Sequence, residues 1–124
     1  MLKILVVDDE EDVLSLTRIM LESKEYSVTT ANGGEEALTI IANDKPDLVL
    51  LDIVMPGVHG LDVCRTLKRD ESTRHIPVIM FTALGPSVDL MLAEEDKAEG
   101  YIGEPFTSKT LLDLVERLLK KEIV

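Results

Sequence analysis

The chain has 124 residues, 45% of them hydrophobic and 30% charged, with 24 acidic side chains against 13 basic ones and a formal net charge of −11. That length holds one domain with a sizeable aliphatic core and leaves no room for a second. The acidity argues against unaided binding to nucleic acid or anionic membrane, where Lys and Arg supply the affinity.

The opening Met1–Val7 meets Asp8-Asp9 too early for a signal peptide, and no apolar run approaches membrane-spanning length. The lone cysteine, Cys64, cannot form an intramolecular disulfide, so a reducing cytoplasm is expected. With two Tyr, two Phe and no Trp, the core must be filled by Ile, Leu, Val and Met.

Along the chain, short apolar runs alternate with amphipathic stretches. Ile4–Val7 is a continuously apolar first strand, followed by a helix over 12–24. Val28–Ala31 is the second strand, in a segment whose residues alternate, and a helix over 34–43 follows it. Asn32 and Glu35 are spaced like a capping box at the start of that helix. Leu48–Leu51 is again continuously apolar and leads to a helix over 60–69, where Leu61, Cys64 and Leu67 share one face. Cys64 is therefore expected in the core. Val78–Thr82 is the fourth strand, with a helix over 88–96 after it. A short strand at Tyr101–Ile102 precedes the last helix, 107–121. Thr107 or Ser108 can cap this helix, and its apolar face is Leu111, Leu114, Val115, Leu118 and Leu119.

Strands alternating with helices predict an α/β fold, a parallel sheet covered by helices on both faces. The continuously apolar strands 1, 3 and 4 belong inside the sheet, and the alternating strand 2 and the short strand 5 belong at its edges. Order 2-1-3-4-5 with right-handed crossovers satisfies this, giving a flavodoxin-like three-layer αβα sandwich with five helices. Residues 1–124 are expected to form a single domain with no output domain attached.

In such sheets, ligands bind beyond the carboxyl ends of the strands where the order reverses, here between strands 1 and 3. Strand 1 ends at Asp8 and Asp9, and strand 3 ends at Asp52, so three carboxylates meet at that point. Like charges so close repel unless a cation intervenes, and a hard cation with oxygen ligands such as Mg²⁺ resolves the conflict. One carboxylate can then act as nucleophile toward phosphorus. Thr82 ends strand 4 and can offer a hydroxyl to the bound group. Any one of these residues alone would be read as structural; Asp12 is read as a cap or a solvated helix-start charge, and Glu10 and Glu11 as a solvated acidic run.

These features resemble the receiver domain of two-component response regulators. The resemblance runs from KILVVDDE through LVLLDIVMPGVHGLD and PVIMFTA to GYIGEPF, essentially the whole chain, and the architecture is similar to the chemotaxis-type single-domain receiver. It implies a phosphorelay protein of the cytoplasm, not an enzyme, that accepts a phosphoryl group on Asp52 from a sensor histidine kinase or a phosphotransfer protein. It further implies Mg²⁺ on Asp8, Asp9, Asp52 and the Val54 backbone carbonyl. Met55-Pro56-Gly57 would shape the adjoining loop, Thr82 would be the switch hydroxyl with the small Ala83 beside it, and Tyr101 the switch aromatic. Signalling to a downstream protein would pass through the fourth helix, fifth strand and fifth helix, with no direct nucleic-acid or membrane partner.

One position departs from the family. Where it places a lysine before the proline after strand 5, this chain reads Gly103-Glu104-Pro105-Phe106. At about 4 Å and an effective dielectric near 20, one charge pair is worth roughly 4 kcal/mol, so reversing its sign is not conservative. Glu104 could join the metal site as a fourth carboxylate or swing into water, and Lys109 is the nearest cation in sequence that could substitute. Two functions remain open: a receiver still phosphorylated in the presence of Mg²⁺, or a pseudo-receiver that binds partners without phosphorylation. The Glu104-Pro105 bond is expected to be cis, as the resemblance implies. His59 and His75 are expected to be exposed. Val88, Leu90, Met91 and Leu92 exceed what one helix face can bury, which indicates a partner or homodimer surface or merely scattered exposed apolar residues. The acidic first loop excludes a flavin phosphate site, and Val54 stands where a haloacid-dehalogenase-type phosphatase has its second aspartate.

Overall fold

The computed structural model describes residues 1–82 and 98–121, the side chains of Thr82 and Lys121 excepted. Five strands, β1 (Lys3–Val7), β2 (Ser27–Ala31), β3 (Leu48–Asp52), β4 (Val78–Thr82) and β5 (Gly100–Gly103), form one sheet in the order β2-β1-β3-β4-β5. Every neighbouring pair is parallel, with Val7 beside both Ala31 and Leu51, and Asp52 beside Phe81. The described helices are α1 (Glu11–Glu22), α2 (Gly34–Asn43), α3 (Gly60–Arg69) and α4 (Ser108–Lys121). The expected helix over 88–96, with its surplus apolar residues, and Ala83 lie outside the described residues.

Strand pleating sorts the core into two layers, because successive side chains point to opposite faces. Leu5, Val7, Val49, Leu51, Val78 and Met80 pack on one side with Ala37 and Ile41 of α2 and Val63, Cys64 and Leu67 of α3. Ile4, Val6, Leu48, Leu50, Ile79 and Phe81 pack on the other with Leu14 and Leu21 of α1 and Leu111, Val115, Leu118 and Leu119 of α4. The continuously apolar runs are thus strands buried on both faces. Exposure alternates along β2, as expected of an edge strand. Phe81 and Phe106 meet edge to face, with centroids 6.0 Å apart, and tie β4 to the segment before α4.

Local details refine the helix ends. Thr107 caps α4, its Oγ1 accepting the Thr110 N–H at 3.1 Å. At α2 the expected Asn32–Glu35 box does not form. Gly33 takes the cap position in extended backbone, which makes Glu36 the third helical residue, and Glu36 Oε1 accepts the Asn32 N–H at 2.6 Å. Helix α1 ends two residues earlier than expected, at Glu22; Glu25 then turns into the left-handed region at φ 65° and starts the chain into β2. Asp12 lies exposed in the first turn of α1 and is a solvated helix-start charge; the cap position belongs to Glu10. His59 and His75 are exposed, Cys64 is buried, and the Glu104-Pro105 bond is cis.

Candidate functional site

The carboxyl ends of β1 and β3 carry the chain from dry core to acid within one residue. Val7 and Leu51 are fully buried, and Asp8 and Asp52 follow them directly. Asp8 is only 2% exposed, Asp52 is half-buried and Asp9 is exposed. One carboxylate oxygen from each of the three lies within 4.8 Å of the other two.

Backbone amides hold two of these carboxylates in place. Asp8 Oδ1 accepts the Glu10 N–H at 2.9 Å, and Asp52 Oδ1 accepts the Val54 N–H at 3.3 Å. The Asp8 N–H in turn donates to Ala31 O at 3.1 Å, and the Ile53 N–H to Phe81 O at 3.2 Å, which extends the sheet ladder to the site. The loop that follows Asp52 folds back so closely that a Cβ at Gly60 would run into the Asp52 carbonyl, while the Gly60 N–H donates to Ile53 O at 3.1 Å. Glycine is needed there because backbone approaches backbone. Gly60 stands in the segment that carries the family resemblance, eight residues after Asp52 and at a helix start, and the close backbone approach is the physical reason for a glycine there.

The electrostatics are those of crowded acids. Burial, then the charge of Asp8, with Glu104 and Asp9 adding to it, pushes the Asp52 carboxyl up to about 7, against the pull of the Val54 N–H. Burial likewise raises Asp8 to about 6, helped by Asp9 and Glu104 and opposed by the Glu10 N–H. Glu104 is half-buried and its own carboxyl is raised by burial and by Glu10. It stands outside the trio of converging carboxylates, yet its charge bears on both Asp8 and Asp52. Among the described residues, every charged group acting on these two aspartates is an acid. Lys109 does not relieve them: it is exposed on α4 and pairs with Asp113 at 2.8 Å. Three hard oxygen donors with uncompensated charge fit a divalent cation such as Mg²⁺.

The remaining expected residues are placed as follows. Thr82 ends β4 beside Gly103, and its side chain lies outside what is described. Tyr101 is half-buried on β5 and packs against the α2–α3 side of the core. Val54 is exposed two residues beyond Asp52. Among the described residues no helix is long and apolar enough to cross a membrane.

Comparison with known proteins agrees with this geometry. The chain is 41% identical to the response regulator PleD of Caulobacter vibrioides over 122 residues, 98% of this chain and 27% of PleD. It is 38% identical to the DNA-binding response regulator MtrA of Mycobacterium tuberculosis over 119 residues, 96% of this chain and 51% of MtrA. It therefore spans about a quarter to a half of these curated relatives. The crystal structure of the signal receiver domain of a signal transduction histidine kinase from Syntrophus aciditrophicus superposes with a TM-score of 0.91 at 31% identity, covering 98% of this chain and 92% of that one. Residues 4–116 match the family described as the response regulator receiver domain. The chain belongs to that family, the phosphoacceptor modules of two-component signalling.

Proposed function

We propose that this chain accepts a phosphoryl group on Asp52 from the phosphohistidine of a sensor kinase or phosphotransfer protein and passes the signal to a downstream protein. The convergence of Asp8, Asp9 and Asp52 at the switch point of the sheet carries this reading. An Asp52 carboxylate oxygen attacks phosphorus, the phosphorus–nitrogen bond to the imidazole breaks, and the departing imidazole nitrogen takes up a proton. The Val54 N–H orients the attacking carboxylate, and the Gly60 contact fixes the backbone behind it. Asp8, Asp9, Asp52 and the Val54 carbonyl would hold Mg²⁺, which when bound offsets the charge of the carboxylates and of the incoming phosphoryl oxygens. Thr82 and Tyr101 are assigned the switch hydroxyl and switch aromatic, and Glu104 tunes the pocket by charge.

The test is incubation with Mg²⁺ and acetyl phosphate, followed by intact mass under conditions that keep acyl phosphates. The native chain should gain one phosphoryl group, and Asp52→Asn should gain none. Beryllofluoride binding that depends on Asp52 covers a phosphorylated state too short-lived to trap. If the native chain takes neither, the reading fails. Glu104 keeps the pseudo-receiver as the second reading, and that result would favour it.

A further inference from the structure

The loop that leads away from Asp52 is gripped from two sides. Ile53 and Met55 are buried in the core layer under α2 and α3, Val58 packs against the same layer, and Val54 faces outward. From the other side the first turn of α2 closes on Val58. A Cβ on Gly34 would stand 2.5 Å from the Val58 carbonyl oxygen and 2.8 Å from its Cβ and Cγ1. The nearest of these atoms is backbone, so no side-chain rotation makes room for it. Non-bonded heavy atoms settle about 3.5–4 Å apart, so a methyl group on Gly34 would part α2 from the loop by about 1 Å. Gly33 differs from its neighbour: a Cβ there meets nothing within 4 Å, and its extended backbone suits any residue. Of the two, Gly34 alone is required by close approach.

The start of α2 is tied to the other half of the acid site. The Asp8 N–H donates to Ala31 O at 3.1 Å, three residues before Gly34, and Ala37 and Ile41 root the helix in the core. On the loop side, Ile53 is fixed by its N–H to Phe81 O, and Gly60 by its approach to the Asp52 carbonyl. Between those points Pro56 and Gly57 are exposed, and Gly57 turns through φ 77°. A push from α2 therefore falls on residues 54–58, which include the Val54 N–H that Asp52 Oδ1 accepts.

We propose that Gly34 is a positioning residue of the acid site: by carrying no side chain it lets α2 brace Val58, and the brace sets the place of Val54, N–H and carbonyl together, against Asp8 and Asp52. The brace stands on packing alone. Its consequence rests on the function proposed above, in which the Val54 N–H orients Asp52 and the Val54 carbonyl is a ligand to Mg²⁺. Such groups must be held to about 0.5 Å, so a displacement of about 1 Å at the loop is large for the site while small for the fold. A glycine needed only for packing would change stability and leave the site's affinity alone.

The experiment compares Gly34→Ala with Gly33→Ser, which adds a Cβ one residue away in open space, and with Val58→Ala, which loosens the brace without crowding it. Far-UV circular dichroism in EDTA reports the fold, amide resonances in EDTA report the loop, and calorimetry reports Mg²⁺ affinity. Gly34→Ala should shift the Val54 and Gly60 resonances and weaken Mg²⁺ binding about tenfold or more. Gly33→Ser should leave those resonances in place and bind Mg²⁺ within about twofold of the native chain. Val58→Ala should weaken binding a few-fold, and it decides the matter if Gly34→Ala does not fold. The proposal is overturned if folded Gly34→Ala binds Mg²⁺ as the native chain does, or if Gly33→Ser loses as much affinity as Gly34→Ala. It is equally overturned if Gly34→Ala does not fold and Val58→Ala binds like the native chain. Weakened Mg²⁺ binding in Gly34→Ala, with no labelling of the native chain by acetyl phosphate, would support the brace while ending the phosphoacceptor reading. Should the native chain bind no Mg²⁺, the reading of the site fails, and the Val54 resonance in Gly34→Ala against Gly33→Ser still decides the brace.

Discussion

Where β4 and β5 begin, Lys68 at the end of α3 is 11% exposed and fully engaged: its ammonium donates to Ile76 O at 2.7 Å, to Arg74 O at 3.2 Å and to Glu99 Oε2 at 2.9 Å. Glu99 also accepts the Val78 N–H at 2.8 Å. Where β1 and β3 end, Asp8, Asp9, Asp52 and Glu104 crowd together, and every charged described group acting on Asp8 and Asp52 is another acid. The first end balances charge within the chain and so contributes to stability. Among the described residues the second leaves charge unbalanced, which costs stability and suits the cation and phosphoryl group proposed for it.

The largest expected effect comes from breaking the balanced end. Lys68→Ala removes three charge-assisted hydrogen bonds and leaves Glu99 and two carbonyls without their donor, which should cost about 2–3 kcal/mol. Urea unfolding followed by far-UV circular dichroism measures it, since the chain has no Trp. Labelling by acetyl phosphate, proposed at Asp52, should survive, because the clasp lies at the opposite end of the sheet. A loss under about 0.5 kcal/mol, the value of an exposed pair, would mean that the clasp is only a surface contact.

The unbalanced end should respond to pH and metal instead. The folded-state carboxyls of Asp8 and Asp52 are raised to about 6 and about 7, so between their ordinary range and pH 7 the folded chain holds more protons than the unfolded one. Their contribution to stability is fully present below pH 3.8 and is lost as pH rises through about 6 and about 7. In EDTA the loss should reach about 2 kcal/mol after allowance for solvent screening, and Asp52→Asn should remove most of it. Mg²⁺ should raise Tm more at pH 8 than at pH 5, because a cation favours the ionised pair. Equal gains at both pH values would contradict this account of the pocket.

Glu104→Gln should act in the same direction but more weakly, since its carboxyl is half-exposed and outside the converging trio. In EDTA at pH 8 it should stabilise by about 0.5 kcal/mol, and it should weaken Mg²⁺ binding measured by calorimetry a few-fold. No change in either would show that Glu104 is a solvated bystander.

How far each end could be read from sequence follows from what sets it. The acid end follows from local order: continuously apolar runs that stop at Asp8 and Asp52 place both on the edge where the strand order reverses. The balanced end depends on Lys68 and Glu99, 31 residues apart, and no periodicity links them. The hollow between α1 and the segment Glu104-Pro105-Phe106 likewise joins elements that only the crossover geometry brings together. At α2 the capping box is one residue off because Gly33, rather than Asn32, takes the extended cap conformation, a choice that composition alone does not decide. Glu104 was legible as an oddity, but its half-buried seat beside the acid pocket was not.

The smallest expected effect separates pairing from function. Lys109 is the cation nearest to Glu104 in sequence, yet its side chain is 83% exposed and it bonds Asp113 one turn along α4. Such an i,i+4 pair is screened by solvent and holds two mobile side chains at an entropic cost, so Lys109→Ala should move Tm by less than about 1 °C. It should also leave the pH dependence in EDTA and the rate of labelling by acetyl phosphate unchanged, since its charge is directed at Asp113 and away from the pocket. A slower Asp52 reaction in Lys109→Ala, rescued by Lys109→Arg, would reveal a cation reaching the acids from within the chain. The contrast between the two ends of the sheet would then be one of distance rather than of sign.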